Sequence, residues 1–306
     1  MSSLETSFCG VSLRSPLVNG SGTLDALHAG TLGLGAFVTK TVTLHPRDGN
    51  PPPRIAETPA GMVNSIGLAN PGLDRFCDHD LPGLAELDVP VIVSVGGWSP
   101  AEYAAAVARV GRHPAVAALE LNVSCPNVES GCISIGTDAA ETRALVERCR
   151  AETDVPILTK LSPTVTDIAA IATAAAEGGT HALVLINTLR GIAIDRASLR
   201  PLLGGGGGGL SGPAVKPVAL HAVYHAYAAT GLPIIGMGGV STAADVVEFL
   251  AAGAALVGLG TALFRAPGVV AGVLGDLSED LVRRGVDSPG ALVGAAHEGI
   301  STSAKA

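Results

Sequence analysis

The 306-residue sequence contains no C-x-x-C pair, no Lys/Arg-rich stripe and no apolar run of bilayer length. Its five cysteines stand apart at positions 9, 77, 125, 132 and 149, so their spacing suggests neither an iron–sulfur cluster nor a zinc knuckle, and reduced thiols are expected. Basic residues are scarce, 19 Lys plus Arg against 27 Asp plus Glu for a net charge of -8. Without a basic stripe there is no counterion-release footprint, which excludes nucleic acid and anionic membrane surfaces as principal partners. The most apolar stretch, residues 249–264, is shorter than a bilayer span, contains three glycines and ends at Arg265. It reads as buried core. The first residues, Met-Ser-Ser-Leu-Glu-Thr, lack the basic flank and apolar stretch of a signal peptide, so a cytoplasmic protein is expected. The 40 Gly and 20 Pro are spread between apolar runs, and with 47% hydrophobic residues the composition supports a large packed core, not disorder.

What is present is an alternation of short apolar runs with Ala-rich helical stretches, the pattern of parallel strands joined by crossover helices. Eight strand candidates are found at residues 16–19, 36–39, 91–95, 118–122, 157–161, 182–186, 234–237 and 256–259. Helices are expected over 100–109, 137–153 and 242–252. Eight such strands match a single-domain (β/α)8 TIM barrel spanning residues 1–306 better than a doubly wound open sheet. The position of the polar residues favours the barrel, since catalytic groups of barrels stand at the C-terminal strand ends. Here the strand candidates run into Asn19-Gly20-Ser21-Gly22, Lys40, Asn122, Lys160, Asn187-Thr188, Gly238-Gly239 and Gly260-Thr261. Two lysines and three asparagines in one barrel mouth imply a polar, partly anionic ligand.

The glycine-rich ends after the last two strands suit a phosphate, although an ordinary tight turn explains them equally well. Ser211, before Gly212-Pro213, reads as a helix N-cap, and the six glycines at 204–209 read as a flexible loop. Asn64, Asn122, Asn127 and Asn187 offer donor and acceptor together, which suits the edge of a planar heterocycle; each alone is also an ordinary turn or cap residue. Cys125 stands at a strand-to-loop turn, where it is either a small buried hydrophobe or, near Lys40 and Lys160, a base or nucleophile. His221 and His225 have the spacing of helix metal ligands, but a solvated helix face is the stronger reading, and no metal is expected.

The segments 39–43 (T-K-T-V-T), 59–72 (P-A-G-M-V-N-S-I-G-L-A-N-P-G), 121–127 (L-N-V-S-C-P-N), 187–195 (N-T-L-R-G-I-A-I-D), 210–217 (L-S-G-P-A-V-K-P) and 236–240 (G-M-G-G-V) resemble those of class 1 dihydroorotate dehydrogenases, in order and over nearly the whole chain. The proline-rich segment 46–54 resembles the NAD-linked type B branch in particular. The resemblance implies an FMN-containing barrel that oxidises dihydroorotate to orotate in pyrimidine biosynthesis. It further implies a separate iron–sulfur flavoprotein subunit for electron transfer, in a homodimer or a heterotetramer. By the matching motifs, Cys125 is the catalytic base, and Asn64, Asn122, Asn127, Asn187 and Thr188 bind the pyrimidine. The amides of Ile66, Gly67 and Leu68, with Lys40, hold its carboxylate. FMN is assigned to Ser21, Gly22, Lys40, Thr41, Asn122, Lys160, Ile186, Gly212, Gly238, Gly239, Gly260 and Thr261. Cys125 and the N-terminal sequence both speak against the membrane-bound class 2 enzymes, which use Ser as base. Two other readings stay open: a flavoenzyme for another dihydropyrimidine such as dihydrouracil, and a barrel that binds a phosphorylated ligand without redox chemistry.

Overall fold

Short β-branched and leucine-rich runs, each flanked by a proline or glycine turn, form parallel strands because only pairing on both edges satisfies their buried backbone groups. In the computed structural model, which describes residues 3–26, 32–124 and 135–298, an N-terminal hairpin comes first, with β1 Thr6–Phe8 and β2 Val11–Leu13. The next strands are β3 Leu17–Asn19, β4 Phe37–Val38, β5 Val42–Thr43, β6 Ile55–Thr58, β7 Gly61–Asn64 and β8 Val91–Gly96. They are followed by β9 Val116–Asn122, β10 Ile157–Lys160, β11 Ala182–Leu185, β12 Leu189–Gly191, β13 Gly208–Ser211, β14 Ile234–Met237 and β15 Leu256–Leu259.

The parallel sheet runs β3-β15-β14-β11-β10-β9-β8-β4, with β5 continuing along β8. The ring is closed between β3 and β4 by a bridge from Val18 to Ala36. At this seam the fully buried Asn19 takes the place of a ladder. Its Nδ2 donates to the Val38 carbonyl and its Oδ1 accepts from the Val38 amide, both at 2.8 Å. The expected (β/α)8 barrel is therefore present, and Asn19 serves its closure.

Side chains alternate along each strand. One set, including Val18, Val38, Ile92, Ala118, Leu158, Val184, Ile235 and Leu256, fills the barrel interior, which Phe8 and Leu13 of the hairpin plug from below. The other set meets the surrounding helices. The three expected helices are Pro100–Val110, Ala139–Arg150 and Ala243–Ala251, started by Ser99, Asp138 and Thr242, whose side chains accept a hydrogen bond from an N3 amide.

Two readings of the sequence need correction. Beside the barrel lies a second, antiparallel sheet in the order β12-β13-β7-β6. The glycine run at 204–209 is consequently not a flexible loop throughout, since Gly208 and Gly209 open β13 and pair with Gly191, Arg190 and Asn64. A Cβ at Gly209 would collide with the Thr188 side chain, so close packing of β12 against β13 needs glycine there. Ser211 is not an N-cap: it is the last residue of β13, and Gly212 precedes a 3-10 turn, Pro213–Val215, that leads into the helix Lys216–Thr230. No helix among the described residues is long and apolar enough to cross a membrane.

Candidate active site

At the C-terminal ends of the barrel strands, where the antiparallel sheet leans over the mouth, lies a cavity of about 1370 Å³. Every site residue expected from the sequence that lies within the described residues lines it. Cys125 and Asn127, like Cys132, lie outside the described residues.

One end of the cavity is backbone. Gly238 and Gly239 follow β14, Gly260 and Thr261 follow β15, and Gly212 follows β13. Thr261 Oγ1 donates to Ser211 Oγ at 2.7 Å, tying the β15 turn to the antiparallel sheet. Behind the β14 turn, Asp245 accepts from the amides of Ser241 and Thr242, both at 2.9 Å, and from Lys216 Nζ at 2.7 Å. Burial pushes the Asp245 carboxyl up, but these hydrogen bonds outweigh it and hold the group below its ordinary value. A depressed pKa means that this contribution to stability is complete above the ordinary Asp value of about 3.9 and is lost as pH falls through the folded value. The stability gap between the protein and Asp245→Asn is therefore expected to be constant near neutral pH and to shrink below about pH 4. Denaturant midpoints measured across that range check this, and a gap that widens on acidification contradicts it.

The middle of the cavity is set by strand register. Lys160 and Asn122 are direct partners across β10 and β9, both almost fully buried. Asn122 Nδ2 donates to Thr41 Oγ1 at 3.0 Å, and its Oδ1 accepts from Ser124 Oγ at 3.0 Å. Ser124 Oγ in turn accepts from Asn187 Nδ2 at 2.9 Å, and the Asn187 oxygen accepts from the Thr188 amide. Ser21 Oγ sits 3.2 Å from Thr41 Oγ1. Gly22 packs against the Lys40 side chain so closely that a Cβ there would meet Lys40 Cδ at 2.6 Å. Ile186 completes this part of the wall.

The far end is carried by the antiparallel sheet and the turn that follows β7. Asn64 ends β7, and the Ile66-Gly67-Leu68 turn has positive φ at both Gly67 and Leu68. Asn70 holds the turn by donating to the Leu68 carbonyl at 2.7 Å and accepting from the Gly72 amide at 2.9 Å. The proline-rich segment braces it from outside: the Asn50 amide donates to the Ile66 carbonyl at 3.0 Å, and Arg47 Nε to the Gly67 carbonyl at 3.2 Å. Among the described residues, the amides of Ile66, Gly67 and Leu68 have no acceptor.

Sequence reading missed the layer beneath these residues. Ser94, Glu120 and Ser124 belong to the same hydrogen-bonded group, and a glutamate within an apolar strand is the signal that marks it. His221 and His225 lie on an exposed helix face, ring centroids 4.3 Å apart, away from the cavity. Among the described cysteines, burial pushes Cys9 up to about 11 and Cys149 up to about 12, and Cys77 is raised as well. None of these three lines the cavity, and all are free thiols.

A family model described as dihydroorotate dehydrogenase matches residues 3–281. The dihydroorotate dehydrogenase B (NAD(+)) catalytic subunit of Desulforudis audaxviator is 52% identical over 293 residues, covering 94% of this chain and 95% of that protein. The subunit of the same name from Pelobacter propionicus is 45% identical over 297 residues, covering 95% and 98%. In fold, the chain is similar to the crystal structure of DHODH from Eimeria tenella in complex with ferulenol, with a TM-score of 0.83 at 24% identity, covering 96% of this chain and 89% of that one.

Proposed function

This chain belongs to the dihydroorotate dehydrogenase family, and from that premise we propose how its cavity carries out the oxidation of dihydroorotate to orotate in pyrimidine biosynthesis. The observation that carries the reading is that one cavity holds both an anion-binding backbone end and an amide-rich, lysine-bearing centre. The group that fits is FMN. Bare turns at Gly238-Gly239 and Gly260-Thr261 suit its phosphate, and a buried ammonium beside a carboxamide suits its ring. FMN supplies the acceptor for the hydride that leaves C6 of dihydroorotate.

The remaining work belongs to the protein. Cys125 takes the C5 proton, so that the substrate loses one proton and one hydride in becoming orotate. Lys160 would hold the ring of FMN and would supply positive charge to its reduced form. The amides of Ile66, Gly67 and Leu68, with Lys40, receive the substrate carboxylate, while Asn64, Asn122, Asn127, Asn187 and Thr188 meet the polar edge of the pyrimidine. Dihydrouracil, which has no carboxylate, would leave that turn without a partner, and this favours dihydroorotate.

The whole chain is read as one FMN-binding domain acting in the cytoplasm. The relatives' names, "catalytic subunit" and "NAD(+)", support a separate electron-transfer subunit, which we take to be an iron–sulfur flavoprotein, in an assembly that is a homodimer or a heterotetramer. The purified chain is expected to be yellow, with a flavin absorbance band that bleaches anaerobically on adding dihydroorotate but not dihydrouracil. A colourless protein that takes up no FMN, or bleaching by dihydrouracil alone, overturns the reading.

A further inference from the structure

Glu120 is part of this site, yet it lines no wall of the cavity. It points into the barrel one layer below Asn122, is the direct partner of Ser94 across β9 and β8, and is 0% exposed. Its Oε1 accepts from Ser94 Oγ at 2.8 Å and lies 4.0 Å from Lys160 Nζ. Its Oε2 is the one buried side-chain polar atom without a hydrogen-bond partner among the described residues. A shielded carboxylate with an unmet oxygen is costly, and an apolar residue would fill the layer more cheaply, as Ala118 and Leu158 do nearby.

We propose that Glu120 is a positioning residue: it tethers Lys160 from below and, through Ser94 and Thr41, fixes the Asn122 carboxamide with an N–H toward the cavity. The directionality follows from proton counting. A carboxylate only accepts, so the single Ser94 hydroxyl proton is committed to Glu120. Ser94, at 2.9 Å from Thr41, can then only accept, as can Ser21 at 3.2 Å, whose proton goes to the Thr39 carbonyl, so Thr41 is the donor in this group and its shorter contact is to Ser94. With its proton spent, Thr41 Oγ1 can only accept, and it accepts from Asn122 Nδ2. That leaves the second Nδ2 proton of Asn122 for a ligand, while its Oδ1 is taken by Ser124. Replacing the carboxylate by a carboxamide loosens the constraint, since a Gln amide could donate to Ser94 and free the Ser94 and Thr41 protons to turn toward Asn122, leaving the 3.4 Å contact from the Ser124 amide to Asn122 Oδ1 as the remaining backbone hold on its orientation. It also removes a negative charge beside Lys160, leaving more of the lysine's field for negative charge on a reduced flavin ring held at the middle of the cavity, while the turn assigned to the orotate carboxylate lies at the far end.

The inference rests on the FMN reading, and its test separates the two. Wild type, Glu120→Gln, Glu120→Asp and Ser94→Ala are loaded with FMN. The two-electron flavin potential is read against a redox dye, and orotate affinity is read from the perturbation of the flavin spectrum. Glu120→Gln is expected to move the two-electron equilibrium about tenfold toward reduced flavin, roughly 30 mV upward, and to weaken orotate on the order of tenfold. Glu120→Asp keeps the charge and should keep the wild-type potential. Ser94→Ala cuts the relay without removing charge, so it should weaken orotate while leaving the potential in place. Wild-type potential and orotate affinity in Glu120→Gln overturn the proposal. Should Glu120→Gln not fold, undiminished orotate binding by Ser94→Ala overturns it and weakened binding sustains it. Failure of the wild-type chain itself to take up FMN is a failure of the functional reading instead.

Discussion

Lys160→Ala is expected to purify with little or no FMN and to recover none of it at micromolar concentrations of added cofactor. The lysine is almost fully buried, and among the described residues Glu120 is its one ion-pair partner, so with Lys40 it supplies the positive charge in the middle of the cavity. Removing one member of a buried pair also strands the other, at a cost of about 3–5 kcal/mol, and instability alone could lower occupancy. The double variant Lys160→Met/Glu120→Gln distinguishes these causes, because it removes both charges together. It should regain much of the lost stability by denaturant titration while still failing to hold FMN. Full flavin occupancy with an unchanged reduction potential in either variant would move the stabilising charge to Lys40 or to a helix N-terminus.

Cys125→Ala is expected to keep its FMN and to lose flavin bleaching by dihydroorotate by a factor of ~10² or more, the usual loss when a positioned base is removed. None of the three described thiols is placed to act as the base. Burial holds Cys9 and Cys149 far from thiolate formation near neutral pH, and Cys77 lies away from the cavity. Cys125→Ser should retain a small activity that rises with pH, since a hydroxyl is a poorer base than a thiol. Stopped-flow measurement of flavin reduction isolates the chemical half-reaction from any electron acceptor. Wild-type bleaching rates in Cys125→Ala would remove the residue from the base role.

The barrel strands were legible because each is an apolar run between turn residues, and the expected and observed limits differ by at most two residues at any end. Lys40, Asn122, Lys160 and Asn187 were legible for a related reason: a polar residue at the end of an apolar strand is conspicuous. The antiparallel sheet was not legible. Its strands read as glycine-rich or polar loops, Gly-Gly-Leu-Ser in β13 and Ile-Ala-Glu-Thr in β6, with no run of apolar side chains to announce them. Their pairing is also distant, since Asn64 donates to the Gly209 carbonyl across 145 residues, beyond the reach of any local pattern. Asn19 shows the opposite error. At a strand end it looked like a mouth residue, but both ends of its amide are consumed in closing the barrel.

The two sheets differ in how deeply they are embedded. Strands β10, β11, β14 and β15 are buried at every residue, whereas in the antiparallel sheet β6 and β12 have no buried residue, β13 has one, Gly209, and β7 has two, Met62 and Val63. Opening free energy follows buried apolar contact, so amide hydrogen exchange should reach the antiparallel sheet by local fluctuations that leave the barrel intact. The same partition runs through the assigned site: Lys40, Asn122, Lys160, Asn187 and the turns after β14 and β15 stand on the slow-exchanging barrel, whereas Asn64, Thr188 and Gly212 stand on or beside the fast-exchanging sheet. Breathing of the antiparallel sheet alone is expected to loosen the Asn64 and Thr188 end of the cavity while Lys160 and the turns after β14 and β15 keep their places.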